Sequence, residues 1–152
     1  MDEHIQTLAG IIIAGVLVLD GLLHAYWAMG QIWPARTKLS LVQIVLNSNN
    51  VRAFGSVNLF PLAALLVCGG LFVLARVHQL GMLADLIPDT VLQLGIAGVA
   101  TGLLVRGVAG IGWVLGLAPA KSKLFYRLNL LVYTPVCLIL FIAAVAVASS
   151  YS

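Results

Sequence analysis

The chain has 152 residues, of which 62% are hydrophobic and 9% charged, with a formal net charge of +3 and a mean hydropathy of +1.10. A soluble domain carries about 25% charged residues, so these few charges leave too little polar surface to cover a water-soluble fold. The lysines and arginines lie scattered between apolar runs, which excludes a nucleic-acid-binding stripe and points to membrane topology.

The N-terminus reads MDEH, acidic rather than basic, and no small-residue cleavage pattern closes the first apolar run. That run is therefore expected to be a retained membrane helix and not a cleaved signal peptide. Four stretches, near 7–29, 54–77, 90–117 and 128–149, reach the roughly 20 apolar residues that cross a hydrocarbon core. Backbone polar groups in lipid must be satisfied within their own segment, so all four are predicted helices. The expected fold is all-α, a four-helix transmembrane bundle forming one integral membrane domain over residues 1–152.

The first span carries an acid and a histidine near its end. Asp20, His24, Trp27 and Gln31 share one face by the i, i+4, i+7 rule. A charge at a helix centre costs roughly 2.5–3.5 kcal/mol on the insertion scale. The ten Leu, Ile and Val residues between Leu8 and Leu23 return about 0.3–0.6 kcal/mol each, enough to carry it. In the connection that follows, Leu39, Val42 and Leu46 recur at helical spacing among Ser40, Gln43 and Asn47. This suits a short amphipathic helix over 38–47 lying at the membrane interface, with a poorly ordered loop as the alternative.

The second span opens with Asn58 and Pro61, and the third holds Arg106, the other charge deep within a span. Gly98, Gly102, Arg106 and Gly110 repeat every four residues along one face, a small-residue pattern that suits helix packing in membranes. The fourth span contributes Asn129, Tyr133 and Pro135.

Six basic residues (Arg36, Lys38, Arg52, Lys121, Lys123 and Arg127) fall on the first and third connections. Arg76 alone falls on the opposite side, beside Asp2, Glu3, Asp85 and Asp89. The positive-inside rule then places both termini on the outer (periplasmic or extracellular) side. With the first and third helices running inward, Asp20 and Arg106 lie about 20 Å and about 24 Å below the outer surface. An Asp20–Arg106 ion pair is the simplest expected arrangement, and an Arg106 that snorkels to the headgroups is the competing one.

Asp20, His24, Trp27, Asn58, Arg106, Asn129 and Tyr133 thus converge on one polar layer in the cytoplasmic half. Two readings stand for it. Either the side chains bind one another and fix helix register, or they line a small cavity where Arg106 and His24 offer anion or proton contacts.

LHAYWAMG in the first helix, NLFP in the second, LLVRGVAGIG in the third and FYRLNLLVYTPVCLIL in the fourth resemble a family of small bacterial membrane proteins, the domain of unknown function 3995 family. The resemblance runs from about Asp20 to Leu140, with Phe125, Tyr133, Pro135 and Cys137 its most specific part. It implies four transmembrane helices and a multi-pass place in the bacterial inner (cytoplasmic) membrane, and it supplies no activity. The family carries Asp where this chain has Asn129, and charged residues where it has Leu130 and Leu131. That departure weakens the idea that an acid at this position is required for chemistry.

Cys68 and Cys137 form no C-x-x-C motif and read as buried small apolar residues. Only His24 among the histidines lies within a span, short of the two axial ligands common in membrane cytochromes. No cofactor and no metal are expected, and no phosphate loop or nucleophile elbow is present. Trp33, Trp113 and Tyr126 read as an interfacial aromatic belt.

These readings favour a binding or accessory component of a membrane assembly, with the lipid bilayer, other membrane proteins, a second copy of the chain or a lipid-like ligand as partners. An alternative is a membrane-embedded enzyme on a lipid-like or isoprenoid substrate, with Asp20 and His24 as catalytic candidates and Arg106 holding an anionic group. A third reading is proton-coupled transport by an oligomer.

Overall fold

The computed structural model describes residues 3–150, the last of these by its backbone alone. Asp2, assigned above to the acidic end, lies outside the described residues. Helix α1 covers Glu3–Ala28, starting a turn earlier than the hydropathy run, and it stops at Gly30, whose φ of 90° leaves the helix.

Helix α2 is Lys38–Leu46. Thr37 Oγ1 accepts the Ser40 N–H while Ser40 Oγ accepts the Thr37 N–H, the reciprocal arrangement of a capping box. Asn47 ends it in the left-handed region at φ 52°. Of the predicted stripe of Leu39, Val42 and Leu46, only Val42 turns into the protein. Leu39 and Leu46 are exposed, whereas Leu41 and Val42 are buried against Trp27, Phe54 and Leu59. The ends of α1 and α3 offer α2 a protein pocket, and that pocket sets which stripe turns inward. Asn47 then ties the two basic connections together: its Nδ2 donates to the Pro119 carbonyl and its Oδ1 accepts the Lys121 N–H.

A single 3-10 turn, Val51–Phe54, leads into α3, Ser56–Arg76. The short α4, Met82–Asp85, precedes α5, Asp89–Val114. Helix α6, Lys123–Leu128, runs through one wide turn, Asn129–Tyr133, into α7, Thr134–Ser150. Among the described residues, four helices are long and apolar enough to cross a membrane: α1, α3, α5 and the continuous α6–α7 rod.

The most extensive packing is α1 on α3 and α5 on α7; α1–α7 and α3–α5 join the two pairs. Helices α1 and α5 therefore stand on one diagonal of the bundle. Close approach in the first pair depends on Gly21 and Gly70. A Cβ at Gly21 would lie 2.8 Å from Val67 and 3.0 Å from the Ala63 carbonyl, and one at Gly70 would lie 2.9 Å from Val18.

The predicted four-residue glycine face of α5 is also corrected. Gly107 and Gly110 pack against α7, but Gly98 and Gly102 meet nothing. The buried stripe of α5 runs through Leu92, Ile96, Ala100, Leu103, Gly107 and Gly110, and the other two glycines lie off it.

All four spans feed one core, built from Ile13, Ala14, Leu17, Val73, Val77, Ile96, Ala100, Leu103, Leu140, Ala144 and Val147. Toward the basic connections it ends at Leu17 on α1 and Leu103 on α5. One turn further come Asp20 and Arg106. Only 22–33% of each spanning window is buried in protein, so most of its apolar surface has to be covered by lipid.

Candidate functional site

The polar layer begins where the apolar core stops, and the wide turn Asn129–Tyr133 shapes it. The Thr134 N–H donates to the Asn129 carbonyl, five residues back, in place of the four-residue step of an α-helix. Pro135 gives the local reason: it has no N–H to offer the Leu131 carbonyl, and its ring would crowd that carbonyl in a regular helix. Widened turns of this kind recur at functional positions.

The turn places Asn129 with no exposed surface at all. Its Nδ2 donates to the Gly110 carbonyl at 2.8 Å, and its Oδ1 accepts from Arg106 Nη1 at 3.2 Å. The first bond fixes which end of the amide faces Arg106. The guanidinium also lies 5.4 Å from the ring centres of both Trp113 and Tyr133, within cation–π range. Trp113 in turn meets Phe125 edge-on at 5.1 Å. It belongs to the arginine's surroundings and not only to an aromatic belt, a role its position at a helix end concealed.

Gly110 is what allows α5 and α7 to close here. A Cβ on it would overlap Thr134 Oγ1 and fall 3.2 Å from Asn129 Oδ1. Thr134 is 7% exposed, and its buried Oγ1 has no hydrogen-bond partner. The layer thus contains an unsatisfied hydroxyl, which ordinarily costs about 1–3 kcal/mol.

Across the bundle, His24 Nδ1 donates to the Asp20 carbonyl at 2.8 Å and lies 3.3 Å from Asp20 Oδ1. Because a carbonyl only accepts, Nδ1 carries the proton, and in the neutral ring Nε2 is left as an acceptor. His24 is buried, but the Asp20 side chain is 47% exposed.

The predicted Asp20–Arg106 ion pair is not formed. The Asp20 carboxylate lies beside His24 instead, and among the described residues Arg106 has no carboxylate within 4 Å. The reason is the diagonal: α7 and α3 stand between α1 and α5. Arg106 lies instead over the Tyr133 ring of the fourth span.

The remaining predicted members divide. Trp27 is buried, donates Nε1–H to the Trp33 carbonyl at 2.8 Å, and packs on His24 and Phe54. It braces His24 and anchors α2. Asn58 leaves the layer: it is exposed, and its Nδ2 bonds the Ala53 carbonyl at 3.2 Å. It stabilises the entry to α3 instead. Cys68 is exposed and Cys137 half-buried, so the reading of both as buried is corrected for Cys68.

Arg76 was assigned only a topological role by its place at a span end, yet it is 4% exposed and pairs with Asp89 at 3.3 Å. The pair clamps the α3–α5 connection. A basic residue closing one span and an acid opening the next was the available signal. Among the described residues, no group of three or more His, Cys, Asp or Glu side chains is arranged to hold a metal ion.

A family model described as "Protein of unknown function (DUF3995)" matches residues 17–144, which include the whole polar layer. No curated protein and no solved structure matches the chain.

Proposed function

Since the chain belongs to the DUF3995 family of proteins of unknown function, we propose its function from the polar layer itself: it is a membrane-embedded binding component that holds the anionic head of an amphiphile at Arg106. The observation that carries this reading is the state of the arginine. It holds a full charge within a span, fixed by Asn129 and two aromatic faces, with no carboxylate at ion-pair distance. Neutral partners orient a guanidinium without cancelling its charge, and a partly desolvated cation is strongly favoured to acquire an anion. The apolar surroundings suit a ligand whose other end is hydrocarbon. The same layer fits an accessory role in a larger membrane assembly, with both termini outward and the site in the cytoplasmic half of a bacterial inner membrane.

The test uses Trp113 as the reporter. A bromine-tipped fatty acid should quench its fluorescence saturably in the detergent-solubilised protein. Arg106→Gln should abolish saturation, Arg106→Lys should retain part of it, and Trp113→Phe should remove the signal. Quenching equal to that by the corresponding neutral alcohol would refute the proposal.

A second reading has its own observation. His24 Nδ1 is held by Asp20, the orientation that leaves Nε2 ready to take a proton from a bound substrate. This is the lipid-modifying enzyme, with Asp20 orienting His24. Asp20→Asn and His24→Ala should then leave binding at Arg106 intact while abolishing turnover; equal loss of folding in both variants would reduce the pair to a structural brace.

A further inference from the structure

The two basic connections carry Arg36, Lys38, Arg52, Lys121, Lys123 and Arg127, and no acidic residue falls on either. Among the described residues, none of these six cations has a carboxylate within ion-pair distance. One end of the molecule therefore presents six positive charges with no internal compensation. Asn47 ties the two connections together through Pro119 and Lys121, so this charge belongs to a built floor.

Beside that floor lies a cavity of about 300 Å³ lined by Ala120, Ser122, Lys123, Tyr126 and Arg127. It is an open hollow at the surface and not an enclosed chamber. Lys123 and Arg127 are four residues apart on α6, so they stand one above the other on the same face, both exposed. Beyond them along the rod, Leu130 and Leu131 are exposed at 41% and 72%. The order along this strip is thus cation, cation, then bare hydrocarbon.

That order matches a phospholipid from head to tail. We infer that the cavity is a binding site for the head group of an anionic phospholipid. Lys123 and Arg127 bracket its phosphate, Ser122 and Tyr126 bound the glycerol, and an acyl chain runs along Leu130 and Leu131. A zwitterionic head group brings its own cation toward the basic pair and is disfavoured. The site is separate from Arg106, which faces Asn129, Trp113 and Tyr133.

The test is native mass spectrometry of the full chain in neutral detergent, titrated with phosphatidylglycerol or phosphatidylcholine. The first phosphatidylglycerol should be held more tightly, and the double variant Lys123→Gln/Arg127→Gln should weaken it by about thirtyfold, the worth of two basic residues near an anionic surface. Lys123→Arg/Arg127→Lys should retain it, which separates loss of charge from loss of fold. In an Arg106→Gln background, which removes the amphiphile site, the same loss on Lys123→Gln/Arg127→Gln should persist, so this inference and the amphiphile site fail independently. Equal retention of phosphatidylcholine, or undiminished phosphatidylglycerol in the double variant, would overturn the inference. Displacement by glycerol phosphate at the lipid's own concentration would also overturn it, by making a free phosphate ester the ligand.

Discussion

At the scale of single residues, Gly110 and Asn129 carry the most weight in the layer. A methyl group at Gly110 would overlap Thr134 Oγ1 and press on Asn129 Oδ1, both on a packed helix and neither at the loose end of a long side chain. Gly110→Ala is expected to destabilise the protein by about 1–3 kcal/mol, the usual cost of overpacking. Gly102→Ala, in open space, should stay within about 0.5 kcal/mol. Thermal melting in one detergent compares the two, and equal effects would contradict the packing described. Asn129 separates structure from ligand. Asn129→Ala removes the amide that joins Arg106 to the Gly110 carbonyl, an expected loss of about 1–3 kcal/mol. Asn129→Asp supplies the carboxylate that Arg106 otherwise lacks. It should fold but weaken bromo-fatty-acid binding by about tenfold, equivalent to about 1.4 kcal/mol. Unweakened binding in Asn129→Asp would argue against an anion at Arg106.

At the scale of elements, the wide turn before Pro135 makes a distinctive prediction. A turn closed over five residues contains one residue more than an α-turn. Deleting exposed Leu131 should remove the extra residue and keep α6 and α7 in phase, with Pro135 left as a kink in the rod, so the bundle should assemble. Asn129 would then lose its alignment with Arg106. Deleting exposed Ile139, inside regular α7, instead rotates everything beyond it by about 100° and should prevent a monodisperse product. Size-exclusion profiles of the two deletions decide the point, and identical profiles would contradict it.

The sequence showed these elements unequally. Long apolar runs bounded by Pro, Gly and basic residues located the spans, because lipid imposes a single length requirement on each. It did not show the wide turn, since Pro135 alone does not specify whether a helix kinks, ends or widens. Nor did it show the partner of Asp20. Periodicity and depth put Asp20 and Arg106 near one level, but helix order around the bundle depends on close packing at Gly21, Gly70, Gly107 and Gly110. That packing put α1 and α5 on a diagonal and left the acid to His24.

For the whole molecule, the decisive property is the contrast between its two ends and its flanks. The flanks are apolar, with at most a third of any spanning window buried in protein. One end holds the Arg76–Asp89 clamp with Asp85 nearby; the other holds six cations without an acid. Cytoplasmic loops retain excess Lys and Arg, and anionic lipid on that leaflet attracts basic residues near the membrane by about 1 kcal/mol each. Both effects act in one direction on this chain. We propose from both that the polar layer, which lies nearer the basic end, sits in the inner half of the bilayer, where cytoplasmic anions and anionic lipids would have the shorter route to Arg106. In a background with Cys68 and Cys137 replaced by Ala, a cysteine at exposed Gln79 should react with a membrane-impermeant maleimide in intact cells. A cysteine at Lys121 should react only after the membrane is opened. Labelling at Lys121 in intact cells, with Gln79 protected, would invert the topology and place the Arg106 layer in the outer half.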